Sequence, residues 1–588
     1  MPTNSKYMNK FFITTFAMLT MLSASDAAVC QPKTIRLKVI ETSDVHGHFF
    51  PYDFIQRKPL KGTLARVSTY VDKQREEYGD RLLLIDNGDI LQGQPCVYWS
   101  NYVMPHDENL AASVVNYMRY DAETVGNHDI ETGHGVYDKW IREVRCPVLG
   151  ANIVNKSDGK PYVQPYTIIE REGVKIAILG MITPTISYWL GESLWQGLEF
   201  QEMVGCAKKW VKHLKEVEHA DLIFGLFHSG LEGGIKQQGG IEEDATKRVA
   251  EEVEGFDVIF FGHDHTVHNM TVKNPKGEDV VIVDPSCYAQ NIAEATITLT
   301  YDRGKLINKI IKGEIVDVRD VEVDEKMTEH FRPQTEQIKQ YVERHIGNFA
   351  CPAYTRDSYF GNSAFTDFIH ELQLRITGAD ISLNAPLSFD ARIDAGQVTV
   401  ADMFKLYRYE NLLCVLNMTG RELLGHLEMS YDQWANTMTG PDDHLLLLSE
   451  RSHNDQQRLG FRNFTFNFDS AAGIDYEVDV TKPDGEKVRI LRMSNGEPFS
   501  LDRTYRVVMN SYRANGGGEL ITKGAGIAKE ELQSRIIYES ELDLRHYLME
   551  EIERMKTVEP KAADNWRFVP EEWTIPAGKR DRKIIFGE

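Results

Sequence analysis

From Thr34 to about Gly313, apolar runs alternate with amphipathic stretches. The runs IRLKVIETSD, RLLLIDNGD, VKIAILGMITP, ADLIFGLFHSG, FDVIFFGHDH and VVIVDPS each read as a strand ending in polar residues. Helical spacing appears between several of them, as in Leu64 to Glu77 and Cys206 to Val217. The alternation predicts a layered α/β domain over 34–315, with its chemistry at the carboxyl ends of strands. A charged segment over 320–350 (MTEHFRPQTEQIKQYVERHI) predicts a helical connector. A second α/β unit over 351–550 opens with the helix-like NSAFTDFIHELQLRITG. It later alternates in the strand manner, in FRNFTFNFDS, IDYEVDVTKP and TYRVVMNSYRA. Residues 551–588 read as a polar, Pro-containing tail carrying Trp566 and Trp573.

The start of the chain follows a different pattern. Lys6 and Lys10 precede an apolar stretch from Phe11 to Leu22, and Ser25, Ala27 and Ala28 follow. That order predicts a signal peptide over 1–27, and so an exported protein, periplasmic or extracellular. The stretch is shorter than the roughly 20 apolar residues a membrane span requires. Cys30 raises a lipid anchor, but Val29 is a poor residue before a lipidated cysteine. No later stretch predicts membrane insertion. The formal net charge of −22 argues against polymeric nucleic acid as a partner. It leaves room for a small phosphorylated substrate, because bound cations supply positive field locally. The seven cysteines are scattered with no CxxC, which excludes a zinc knuckle and a disulfide framework.

Five segments carry metal-type ligands, most of them at the predicted strand ends. They hold Asp44 and His46 (SDVHGH), Asp89 (NGD), Asn127 and His128 (GNHD), His228 (FHSG), and His263 and His265 (GHDH). In an extended backbone alternate side chains share a face, so Asp44 pairs with His46 and His263 with His265. Each fragment alone would read as a solvated loop or a core histidine; five of them, nearly all just after an apolar strand and each with a glycine close by, do not. Carboxylate and imidazole donors without thiolate suit zinc, manganese or iron. The order D-x-H, G-D, G-N-H-D, H-x-G, G-H-x-H resembles the calcineurin-like metallophosphoesterases. The resemblance implies two divalent metal ions. Asp44, His46, Asp89 and His265 would hold one, and Asp89 would bridge to the second, completed by Asn127, His228 and His263. It also implies a general-acid role for His128, with Glu131 standing where the family carries a residue that orients this histidine. Asp129 reads as a structural acceptor for the loop.

The second unit resembles the C-terminal domain of the secreted 5'-nucleotidases, and most of all the bifunctional 2',3'-cyclic-nucleotide 2'-phosphodiesterase/3'-nucleotidases. The segments that carry this are LNAPLSFDARI, LYRYENLL, FNFDSAAGIDYEVDVTKP, MNSYRANGGGEL and NWRF. The resemblance implies a nucleobase pocket with Tyr512 as one wall and Phe466 as the other, and Asn384, Arg392 and Asn411 at pocket positions. Phe468 and Tyr476 read as core aromatics, and Arg408 as a solvated side chain. The fold expected is thus a calcineurin-like layered metallophosphoesterase domain followed by an α/β 5'-nucleotidase-type substrate-binding domain. The function this implies is hydrolysis of the phosphate esters of a small nucleotide substrate, as a 2',3'-cyclic-nucleotide 2'-phosphodiesterase/3'-nucleotidase. The alternatives are a 5'-nucleotidase that also cleaves nucleotide sugars and, more remotely, an inactive binding protein.

Overall fold

The computed structural model describes residues 32–237, 240–449 and 460–587; the expected signal peptide and Cys30 lie outside them. The six apolar runs form strands Lys33–Thr42, Leu82–Asp86, Val174–Ile182, Leu222–His228, Val258–Phe261 and Asp279–Pro285. Every residue of Leu82–Asp86, Leu222–His228 and Val258–Phe261 is buried. Covering both faces of a strand is what makes its sequence continuously apolar. The period of two still sorts the side chains: Leu83 and Ile85 face the opposite sheet, while Leu82 and Leu84 face helices.

Two six-stranded sheets result. The first runs Lys305–Asp317, Asn291–Asp302, Lys33–Thr42, Leu82–Asp86, Ala122–Thr124, Val148–Leu149. The second runs Val267–Lys273, Asp279–Pro285, Val258–Phe261, Leu222–His228, Val174–Ile182, Tyr166–Arg171. A core between them joins Val39, Ile85 and Leu149 to Ile178, Phe224 and Phe260. Helices Leu64–Tyr78, Leu110–Met118 and His134–Glu143 cover the first sheet, and Met203–Glu216 and Thr246–Glu252 cover the second. The central strands run parallel, so their carboxyl ends gather along one edge of the sandwich.

In the second unit the helix Ala364–Thr377 forms where the spacing predicts it. Ser363 Oγ accepts from the Thr366 N–H, and Gly378 ends the helix at φ 59°. The helix lies on a five-stranded sheet ordered Ser470–Ala472, Ile381–Asn384, Thr504–Asn510, Leu412–Thr419, Ile536–Asp543.

Three stretches differ from expectation, each through a long-range partner. The connector is helical through Glu325–His330 and Arg332–Glu343, but His345–Phe349 is a strand paired with Gly396–Thr399. FRNFTFNFDS is not a strand: Thr465–Asn467 form a 3₁₀ turn. That turn is held by Arg513, whose guanidinium donates to the Phe466 carbonyl and to both oxygens of Asp469. The tail is ordered, with Trp566–Val569 joining Ile474–Asp479 as a parallel strand before helix Glu571–Phe586. Trp566 is buried against Tyr476, with ring centroids 5.7 Å apart. The described cysteines are free. Among the described residues no helix is long and apolar enough to cross a membrane.

Candidate active site

The motif segments turn inward where parallel strands end. Asp44 and His46 follow Lys33–Thr42, and Asp89 follows Leu82–Asp86. Asn127 and His128 open the short helix Asn127–Glu131, His228 ends its strand, and His263 and His265 follow Val258–Phe261. Asp44, His46, Asp89, His263 and His265 have φ of 49°, 48°, 57°, 82° and 56°. Such left-handed conformations cost roughly 1–2 kcal/mol each for non-glycine residues. The packing around the cluster retains this strain, a pattern found where side chains must be aimed at a common point. A Cβ on Gly126 would lie 2.2 Å from Asp89 Oδ1, so only glycine admits that approach.

The donor atoms converge. His46 Nδ1 donates to the Gln92 carbonyl at 3.2 Å, which leaves Nε2 with its lone pair. Burial holds His46 neutral, with a pKa of about 3. Its Nε2 lies 3.2 Å from His265 Nε2, and His265 Nε2 lies 3.3 Å from Asp44 Oδ1. That Asp44 oxygen is buried and makes no hydrogen bond of good geometry. His228 repeats the arrangement. Its Nδ1 donates to the Asn87 carbonyl at 2.6 Å, and its Nε2 sits 3.0 Å from Asn127 Oδ1 and 3.3 Å from Asp89 Oδ2. Asp89 Oδ2 also faces His46 Nε2 at 3.9 Å, so this carboxylate stands between the two groups. Asp44, His46 and His265, and likewise Asp44, Asp89 and His228, bring one ligand atom each within 4.8 Å of one another. Lone pairs and carboxylate oxygens pressed together in this way fit divalent cations of the zinc, manganese or iron type.

His263 stands beside the second group, its ring 5.3 Å from that of His228 and stacked 5.7 Å from Trp189. Its Nε2 faces Glu243 Oε1 at 3.3 Å, which leaves Nδ1 as the atom it can offer inward. His128 bonds Glu131 through Nδ1 at 2.5 Å, so the carboxylate at the expected position does touch it. Burial opposes a charge on His128, but Asp89 and Glu131 outweigh it and lift its pKa to about 9. Asp129 accepts from the N–H groups of Asp89, Ile90, Leu91 and Gly126 at 2.8 to 2.9 Å, the structural part its sequence position suggests.

The second domain closes on this cluster through residues that the sequence reading missed or underrated. The Tyr409 ring lies parallel to that of His128, 6.4 Å away. Arg408 is not simply solvated: its Nη2 donates to Tyr288 Oη at 2.7 Å. The Tyr288 ring stacks on His48 and lies 5.7 Å from both His46 and His265. The segment LYRYENLL was legible as a functional one, but its partners lie in the other domain and leave no local trace.

The expected base pocket is only partly assembled. Tyr512 and Phe466 do meet, with centroids 6.2 Å apart, but at 89°, an edge-to-face contact and not parallel walls. Gly517 forms a flat seat for Tyr512, since a Cβ there would sit 2.5 Å from the ring. Asn384 is buried with both amide atoms unpartnered, while Asn411 is buried with Nδ2 3.4 Å from Tyr407 Oη. Arg392 lies away from the rings just described. It is exposed, paired with Asp394 and set over the Tyr354 ring, and its charge is satisfied there. Phe468 and Tyr476 are core residues, stacked on Trp434 and Trp566.

A two-sheet sandwich whose strand ends gather carboxylates and imidazoles defines a metal-dependent phosphoester hydrolase. The family model described as calcineurin-like phosphoesterase matches residues 37–267, and that for the 5'-nucleotidase C-terminal domain matches 342–523. The chain therefore carries a calcineurin-like phosphoesterase domain followed by a 5'-nucleotidase C-terminal domain. It is 27% identical to the trifunctional nucleotide phosphoesterase protein YfkN of Bacillus subtilis over 91% of its own length, but spans only 39% of that relative. It is 26% identical to the 2',3'-cyclic-nucleotide 2'-phosphodiesterase/3'-nucleotidase of Haemophilus influenzae, covering 93% of this chain and 90% of that one. Its fold matches a Staphylococcus aureus protein solved with alpha-ketoglutarate at a TM-score of 0.75 and 20% identity, over 91% of this chain and 100% of the other.

The four N–H bonds to Asp129 generate a prediction. Asp129→Asn replaces an acceptor with a group that is half donor, so the loop carrying Asp89 should loosen. Metal affinity should fall about 10–100-fold, the usual cost of losing support for a ligand. Titration of the metal-depleted protein measures this, and unchanged affinity would contradict the structural role of Asp129.

Proposed function

We propose that this chain uses two divalent metal ions to hydrolyse nucleotide phosphate esters, acting as a 2',3'-cyclic-nucleotide 2'-phosphodiesterase and 3'-nucleotidase. The observation that carries this reading is the junction itself: an Asp/His cluster in one domain faces an aromatic site in the other. In this reading Asp44, His46, Asp89 and His265 hold one ion, and Asp89, Asn127, His228 and His263 hold the second. When bound, the two ions supply positive charge to the phosphoryl oxygens and acidify a water. His128, turned by Glu131, then has Nε2 free to deliver a proton to the leaving oxygen. Tyr512 and Phe466 hold the base, with Asn384 and Asn411 as polar partners at its edge. Residues 1–27 would direct the enzyme out of the cytoplasm, where it would meet extracellular nucleotides.

The name of the Haemophilus relative and its end-to-end coverage support the cyclic and 3' specificity. Product analysis on a 2',3'-cyclic nucleotide, a 3'-nucleotide and a 5'-nucleotide tests it. Conversion of the cyclic substrate through the 3'-nucleotide to nucleoside is the expected result. Preference for the 5'-nucleotide would replace this reading with that of a 5'-nucleotidase.

Recognition and chemistry should separate by domain. Tyr512→Ala should lower kcat/KM on the nucleotide by about 1–3 kcal/mol, the worth of one stacked base. Hydrolysis of p-nitrophenyl phosphate, which has no base, should change little in the same preparation. Equal losses on both substrates would make Tyr512 a structural residue.

A further inference from the structure

Arg408 sits in the short stretch between helix Val400–Leu406 and strand Leu412–Thr419. That stretch is fixed from behind by Arg545, whose side chain is wholly buried. Its guanidinium donates to the carbonyls of Tyr407 and Arg408 at 2.9 and 2.6 Å and pairs with Glu410 at 2.8 Å. The same guanidinium lies over Phe404 at 4.0 Å and over Tyr98, a residue of the first domain, at 5.0 Å. Tyr98 in turn donates to Asp543 at 2.9 Å. The Arg408 backbone is therefore pinned at the domain junction, and its side chain projects from a preorganised base.

What that side chain meets is unusual for an arginine. Its partners are the Tyr288 hydroxyl and, at 5.9 Å, the Tyr409 ring. Tyr288 flanks His46 and His265, and Tyr409 flanks His128, so the guanidinium lies between two rings that border the donor cluster. Among the described residues no carboxylate lies within ion-pair distance of Arg408, although Arg545, a short way off, has Glu410. A half-buried guanidinium held by one neutral hydroxyl keeps most of its donors unspent, and burying a charge without a counter-charge is costly. Its planar fork matches the oxygens of a phosphoryl group.

We propose that Arg408 is a substrate-binding residue whose guanidinium takes a non-bridging phosphoryl oxygen at the Asp44, Asp89 and His265 cluster, aimed by Tyr288 Oη. The proposal rests on the hydrolase reading above and deepens it. The second domain then supplies a group to the phosphate as well as a seat for the base. Arg408 would thus act on every ester, whereas Tyr512 would act only on those with a base.

The test uses the full, metal-loaded chain and two readouts: affinity for inorganic phosphate by calorimetry, and kcat/KM on p-nitrophenyl phosphate. Arg408→Gln should weaken phosphate binding about 10–100-fold, as expected for losing a charge-assisted hydrogen bond. It should lower turnover of the base-free ester by a similar factor, with metal content and unfolding temperature retained. Arg408→Lys should recover part of the phosphate affinity, and Tyr288→Phe should show a smaller loss in the same direction. Unchanged phosphate affinity in Arg408→Gln overturns the proposal, as does a loss that tracks lost metal. Should that variant fail to fold, Tyr288→Phe decides, and unchanged phosphate affinity there is the contrary result. Because phosphate binding is read without any nucleotide, a wrong nucleotide assignment leaves this result intact and shows only in product analysis.

Discussion

Two carboxylates, Asp44 and Asp89, are sealed from solvent at the point where two sheets present the ends of their parallel strands. Burial alone would drive both toward the protonated form. For Asp44 the adjacent His265 and the nearby His228, and for Asp89 the neighbouring His228 and His128, reverse this and hold both well below the ordinary carboxylate range. Other buried carboxyls go the other way. Burial pushes Asp86 up to about 8, and lifts Glu41, Glu123 and Asp284 in the same direction. The acidic belt under the site thus divides into groups shifted toward the protonated form and groups shifted toward the charged form that face the imidazole nitrogens. Much of the surrounding structure serves to keep those carboxylates and their imidazoles in place, from the left-handed backbone at Asp44, His46, Asp89, His263 and His265 to the four N–H bonds that anchor Asp129.

The second domain is joined to that constraint and not merely appended. Tyr409 lies against His128, Arg408 bonds Tyr288, and Tyr98 bonds Asp543. On the other side Trp189 stacks on His263, while the neighbouring Ser193 donates to Glu539 at 3.0 Å. Shape and charge at the cluster are therefore set by both domains.

How much of this the sequence discloses depends on distance along the chain. Fully buried strands ending in Asp, Asn or His were legible because burial on both faces imposes a continuous apolar run. The Asp/His cluster was legible because most of its members sit next to such a run. Helix Ala364–Thr377 was legible because what forms it is local, down to the Ser363 cap that the structure shows. The misses have long-range causes. His345–Phe349 and Trp566–Val569 are strands only because of partners far away in sequence. The turn at Phe466 exists because Arg513 reaches across to it. Arg408 and Tyr409 carry no local sign of Tyr288 and His128.

The central claim is that one buried carboxylate joins two cations in a single site, and metal stoichiometry tests it most directly. The purified wild-type chain should carry two divalent ions, and Asp89→Asn should lose affinity for both, because the shared carboxylate offsets the repulsion between them. The second domain should remain folded in that variant. Retention of two tightly bound ions by Asp89→Asn, or a single ion in the wild type, would contradict the account.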